Sequence, residues 1–157
     1  MDEQEHVLLL RKALGSYAIA KPAINLDALG VGFANFQQFL VLARAFEDTG
    51  SSAYGGAAPL LTDKMILATA AQIGLLEAYH ASNIRLLIAE NNVSVAATDK
   101  YDVLPPPAGT DYFNDVNALA VVRYPAEVLM IVFHNTGANV AKGGFFPNGV
   151  NGYFRTT

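Results

Sequence analysis

The chain contains no cysteine. That excludes disulfides, thiolate metal sites and thiol nucleophiles, and it leaves the redox compartment open. Charge is also scarce: 15% of the residues are Asp, Glu, Lys or Arg, and the formal net charge is -4. A weakly acidic chain gives no electrostatic case for nucleic acid or an anionic membrane as partner. The longest apolar run, residues 65–76, is interrupted by Gln72. It falls well short of the roughly 20 residues that cross a bilayer, so no membrane helix is expected. The Gly-Gly pairs lack a Lys at phosphate-binding spacing and read as turns. No Gly-x-Ser-x-Gly elbow is present, and Ser51 and Ser52 have no base pattern around them. The opening residues, Met1 to His6, are acidic where an export signal would be basic.

What the chain does have is apolar material, 52% of its 157 residues. That argues against disorder and predicts one domain with a buried core, with no internal repeat or second domain. Punctuation predicts helices over about 2–14, 33–54 and 63–90, and a short one over 126–135. The first is stopped by Gly15, the second by Gly55-Gly56, and the third is capped by Thr62-Asp63. Pro125 suits the start of the short helix. The segment 65–76 is apolar on nearly all sides, which predicts that the first half of the third helix is enclosed. Residues 16–32, with Pro22, Asn25, Asp27, Gly30 and Gly32, form a loop. An extended chain covers about 3.3 Å per residue and a helix only ~1.5 Å, so this loop can run the length of a bundle as a crossover. Residues 93–117 read as loop, with Pro105-Pro106-Pro107 as a rigid extended piece. The tail, 136–157, alternates turn residues with aromatics and is expected to wrap the bundle and dock its Phe residues.

The chemistry lies on the helical seams. Ile66, Ala70, Ile73, Glu77, His80, Ile84 and Leu87 share one face of the third helix, with two ionisable residues in the middle. The first helix repeats this as Glu3, His6, Leu10 and Ala13, and the second as Phe36, Leu40, Ala43, Glu47, Gly50 and Tyr54. A buried charge is costly unless it is paired or binds a metal. Glu3, His6, Glu47, Glu77 and His80 are therefore either metal ligands or a polar core network. Two Glu-x-x-His pairs plus a further Glu follow the ligand grammar of ferritin-like di-iron and di-manganese carboxylate bundles, which take one Glu from each of two helices and Glu-x-x-His from each of the other two. Carboxylate and imidazole donors suit iron or manganese. Glu5 and Asp48 are expected to face solvent. His134 reads as a residue at a helix C-terminus rather than a ligand, and Tyr54 and Tyr79 as seam-edge packing with their hydroxyls bonded.

Several stretches together resemble the ferritin-like domain of desiccation-related proteins. They are residues 2–7 with Leu10-Arg11, Lys21-Pro22-Ala23-Ile24, Phe46-Glu47-Asp48-Thr49-Gly50 with Ala53-Tyr54, Gly56-Ala57-Ala58-Pro59-Leu60, Glu77-Ala78-Tyr79-His80-Ala81, and residues 143–152. The resemblance implies an all-α, ferritin-like helical bundle with a long crossover between the family's second and third helices. It also implies that the family's first helix, with its ligand Glu, has no counterpart here. Glu3, His6, Glu47, Glu77 and His80 would then be five of six metal-binding positions, for iron or manganese. An apolar groove left by the absent helix would be filled by a symmetric copy, a swapped partner or an upstream segment. Two functions follow from the resemblance. One is a stress-related protein with a retained dimetal-carboxylate site. The other is a di-iron or di-manganese oxidoreductase of ferroxidase or peroxide-scavenging type. Relatives often carry export signals, so the compartment stays open.

Overall fold

Helix α1 (Asp2–Leu14) ends at Gly15, whose φ of +54° only glycine adopts without strain. The computed structural model describes residues 2–31 and 33–157; Gly32, expected in the long loop, lies outside them. Helix α2 (Phe36–Ala57) starts where the Asn35 side chain accepts a hydrogen bond from the Gln38 N–H at 2.8 Å. Helix α3 (Lys64–Glu90) is capped by Asp63, which accepts from Met65 and Ile66. Between α1 and α2 the chain returns along the molecule, so α1 and α2 point the same way and α3 runs against both. The order of the contacts shows this: Glu3 meets His80 and His6 meets Glu77, while Leu40 clusters with Ile88 and Tyr54 packs on Gly74. The crossover is pinned by the C-terminal tail. Asn25 N–H donates to the Phe145 carbonyl at 2.8 Å, and Asn151 Nδ2 donates to the Ala20 carbonyl at 2.7 Å.

Several boundaries and surfaces differ from expectation. Helix α2 runs through Gly55-Gly56 instead of stopping there. Gly56 is buried, and a Cβ on it would collide with the Arg123 carbonyl, so this glycine serves a close backbone approach, not a turn. The first half of α3 is not enclosed: Met65 is 78% and Leu75 62% exposed. Along 65–76 only Ala70 and Ile73 are fully buried. Residues 106–108 form a turn, closed by the Gly109 N–H donating to the Pro105 carbonyl, where an extended piece was expected. The loop after α3 also contains a small antiparallel hairpin, β1 (Asp115–Val116) and β2 (Leu119–Ala120). Its two turn residues, Asn117 and Ala118, both have positive φ, as a two-residue hairpin with the right twist requires. Helix α4 (Pro125–Val132) is shorter than expected, and His134 stands beyond it at φ +50°. The tail behaves as expected at Phe145, which is buried with its ring centroid 4.8 Å from that of Phe46.

The apolar core lies where the start of α2 meets the end of α3, with Leu40, Ile88, Val93 and Val95 in contact. Midway along the helix pair the core turns ionic. Asp48, expected in solvent, is fully buried: its Oδ2 accepts from Arg44 Nε at 2.8 Å and from Arg85 Nη1 at 2.9 Å. Arg44 also reaches Asp102 and the Ala96 carbonyl. Arg123 holds Asp99 with two hydrogen bonds of 2.7 and 2.9 Å and donates to Ser52 Oγ. Three buried Arg face three Asp, so the charges balance and the segment after α3 is clamped to the outer face of the α2–α3 pair. Burial pushes the Asp48 carboxyl up, and Arg44 and Arg85 pull it back.

Candidate metal centre

Glu3 on α1, Glu47 on α2, and Glu77 and His80 on α3 each bring one ligand atom into a group whose members all lie within 4.8 Å of one another. Each arrives by helical spacing. The antiparallel pairing of α2 and α3 sets Glu47 opposite the Glu77–His80 turn, and α1 adds Glu3 from a third side. Glu77 is the deepest, 5% exposed, whereas the Glu3 side chain is largely in solvent. An opening of about 300 Å³, bordered by Asp2, Glu3, Glu47, His80, Asn83 and Ile84, leads to the group.

The ring of His80 is held from both nitrogens. Nε2 lies 3.3 Å from Asp2 Oδ2, and Nδ1 faces Glu3, Glu77 and Glu47 at 3.4, 3.6 and 3.7 Å. A ring that donates Nε2–H to Asp2 turns the Nδ1 lone pair toward three carboxylates. That arrangement is favourable only when a proton or a cation sits between them. His6 joins from α1: its Nδ1 is 2.9 Å from Glu77 Oε1 and 3.6 Å from Glu3 Oε2. The angle to Glu77 is not that of a hydrogen bond, so this buried nitrogen has no hydrogen-bond partner. His6 therefore borders the four-residue group without completing it.

The electrostatics follow from crowding. Burial first, then the neighbouring Glu77 charge, pushes the Glu47 carboxyl from 4.5 to about 7, with Glu3 and a hydrogen bond to Glu77 adding to the rise and His80 opposing it. Burial pulls the His80 imidazole down, but Glu47, Asp2, Glu77 and Glu3 outweigh it and leave it raised. Tyr54, half-buried beside the group, is raised by burial and by the charges of Glu77 and Glu3. Tyr79, expected at the seam edge, is 65% exposed and takes no part.

All five residues singled out in the sequence thus come to one place, four of them closely and His6 at the edge. Asp2 and Asn83 were missed. Asp2 is indistinguishable by pattern from an acidic residue that favours a helix N-terminus, and only the approach of α3 gives it a partner. The residues fit a divalent cation: three converging carboxylates, an imidazole nitrogen facing them, a second imidazole beside Glu77, and a Glu47 carboxyl that burial and the Glu77 charge raise to about 7. Neither the curated proteins nor the solved structures compared with this chain gave a match. Residues 1–90, which carry the whole carboxylate–imidazole group, match the family model described as ferritin-like domain, and the chain belongs to that family.

Proposed function

We propose that the protein binds iron or manganese through Glu3, His6, Glu47, Glu77 and His80, as a ferritin-like stress-related protein of the desiccation-related branch. The single observation that carries this reading is the convergence of Glu3, Glu47, Glu77 and His80 from three helices within 4.8 Å. Ligand oxygens and nitrogens around one ion at about 2.1 Å stand up to ~4.2 Å apart, so the group has the dimensions of a metal shell with little adjustment. A retained dimetal-carboxylate centre would draw on His6, whose unpartnered Nδ1 is the donor left over beside Glu77. A bound ion would supply Lewis acidity and, as iron, electron transfer. The chain's own residues neutralise the ions' charge, and Asp2 fixes the His80 tautomer that presents Nδ1. The opening beside Asp2 and Asn83 favours a second reading, a di-iron or di-manganese oxidoreductase acting on a small oxidant.

The test is metal content after purification without chelator, followed by anaerobic Fe(II) and Mn(II) titration. Wild type should take up metal, and the double substitution Glu77→Leu, His80→Leu should abolish uptake. Unchanged uptake in the double variant places the site elsewhere. Oxygen consumption on Fe(II) addition separates the second reading from the first.

We also propose that a second copy of the chain covers α1 and its surroundings. Helix α1 has no buried residue, and Val7 and Leu8 are 55% and 52% exposed. The chain exposes 9783 Å², against about 7,600 Å² for a folded monomer of its mass. The excess, roughly 2,200 Å², is more than the ~800 Å² that each partner gives to an ordinary interface.

A further inference from the structure

At the depth of the metal group the joint between α2 and α3 is ionic rather than apolar. From Arg44 to Gly56, α2 fully buries no large apolar side chain, and between Ala70 and Arg85 α3 fully buries only Ile73. Within that stretch Tyr54 rests on Gly74, which has no side chain to block a slip. The apolar Leu40–Ile88 contact lies at one end of the helix pair.

The ionic joint is directional. Arg85 Nη1 on α3 donates to Asp48 Oδ2 on α2 at 2.9 Å. Behind it, Arg85 Nε donates to the Tyr112 carbonyl at 2.8 Å, and Nη2 to the Asp111 and Phe113 carbonyls at 2.9 and 3.1 Å, so the guanidinium is fixed in orientation. Asp48 is fixed in turn by Arg44 Nε at 2.8 Å. Asp48 follows Glu47 directly, and Arg85 comes after Glu77 and His80 on the same helix. The bond therefore ties α2 to α3 beside the place where their carboxylates and imidazole meet. Packed helices that change register do so by about one turn, ~5.4 Å. The four converging ligand atoms lie within 4.8 Å of one another, so a slip of one turn would take Glu47 out of the group. A buried ion pair contributes little net stability over apolar residues of the same size, and fixing register is its best-attested use.

We propose that Asp48 and Arg85 are positioning residues of the metal centre: their bond sets the register of α2 on α3 that brings Glu47 to Glu77 and His80. The inference rests on the metal reading above.

The test separates stability from metal affinity. Asp48→Leu with Arg85→Met removes one acid and one base, and leaves the Arg44–Asp102 and Arg123–Asp99 pairs balanced. Arg85→Lys keeps a cation facing Asp48 but gives up most of the bonds to the 111–113 carbonyls. Each is compared with wild type by urea denaturation and Mn(II) calorimetry. Register is read in the metal-free protein as the distance between nitroxide labels on Gln37→Cys and Gln72→Cys, exposed positions on α2 and α3 of a chain with no cysteine of its own. The double variant should keep its denaturation midpoint, shift or broaden the label distance by about 5 Å, and bind Mn(II) at least about tenfold more weakly. Arg85→Lys should unfold at lower urea, yet keep the wild-type label distance and an affinity within about threefold of wild type, well short of the tenfold that a disturbed ligand shell costs. A double variant that loses affinity at the wild-type label distance overturns the proposal, as does one that keeps its affinity. An affinity of Arg85→Lys that falls along with its stability overturns it too, and that variant decides alone if the double variant does not fold. Wild type that takes up no Mn(II) refutes the metal reading itself, and the proposal with it.

Discussion

Metal uptake should be coupled to proton release, with a magnitude set by Glu47. Its carboxyl titrates at about 7 because burial and the Glu77 charge disfavour ionisation. A metal ligand must be deprotonated, so a divalent ion has to displace the proton that Glu47 holds. From that value Glu47 is about nine-tenths protonated at pH 6 and about one-tenth at pH 8. His80, raised above its ordinary value by the same carboxylates, must also lose any proton on the nitrogen that binds, and it adds to the release. Glu47 alone predicts release of about 0.9 proton per site at pH 6, falling to about 0.1 at pH 8. The Glu47 share alone raises apparent affinity about tenfold between those pH values. Mn(II) titration calorimetry in buffers of different ionisation enthalpy counts the protons directly. Release below about half a proton at pH 6, with affinity changing less than about twofold to pH 8, would refute the reasoning, since Glu47 would then be ionised without a cation present. The metal-free protein has the matching sign. A raised carboxyl contributes stability that is fully present below 4.5 and is lost as pH rises through about 7.

Three further outcomes are expected. Asp48→Ala leaves Arg44 and Arg85 buried without their shared carboxylate, and should cost about 3–5 kcal/mol in urea denaturation; a loss under about 1 kcal/mol would mean that the Arg side chains are satisfied by Asp102 and backbone carbonyls alone. In the metal-free protein, Glu77→Leu with His80→Leu should leave stability unchanged or raise it by about 1–4 kcal/mol, because a crowded polar group gives way to packing; a lower melting temperature would show that this group holds α1 in place. Sedimentation at micromolar concentration should give a dimer or larger assembly; a clean monomer would mean that the exposed face of α1 is not covered by a second copy.

The helices and the carboxylates and imidazoles on their seams were legible before any coordinates, because they depend on local rules. Asp63 caps α3, Gly15 ends α1, and Glu3, His6, Glu47, Glu77 and His80 share helical faces by spacing alone. Belonging to a ferritin-like family was legible for the same reason, since the pattern that defines it is periodic. What spacing cannot reveal is which of two polar faces packs against what. Glu47 and Asp48 are chain neighbours on the same helix, yet one opens toward a metal-sized group and the other is sealed among arginines. The carboxylate itself does not distinguish those fates. They were decided by Arg85, Asp99, Asp102 and Arg123, which come from α3 and from the segment beyond it. Periodicity determined what each helix offers, and long-range contact alone decided what each offer meets.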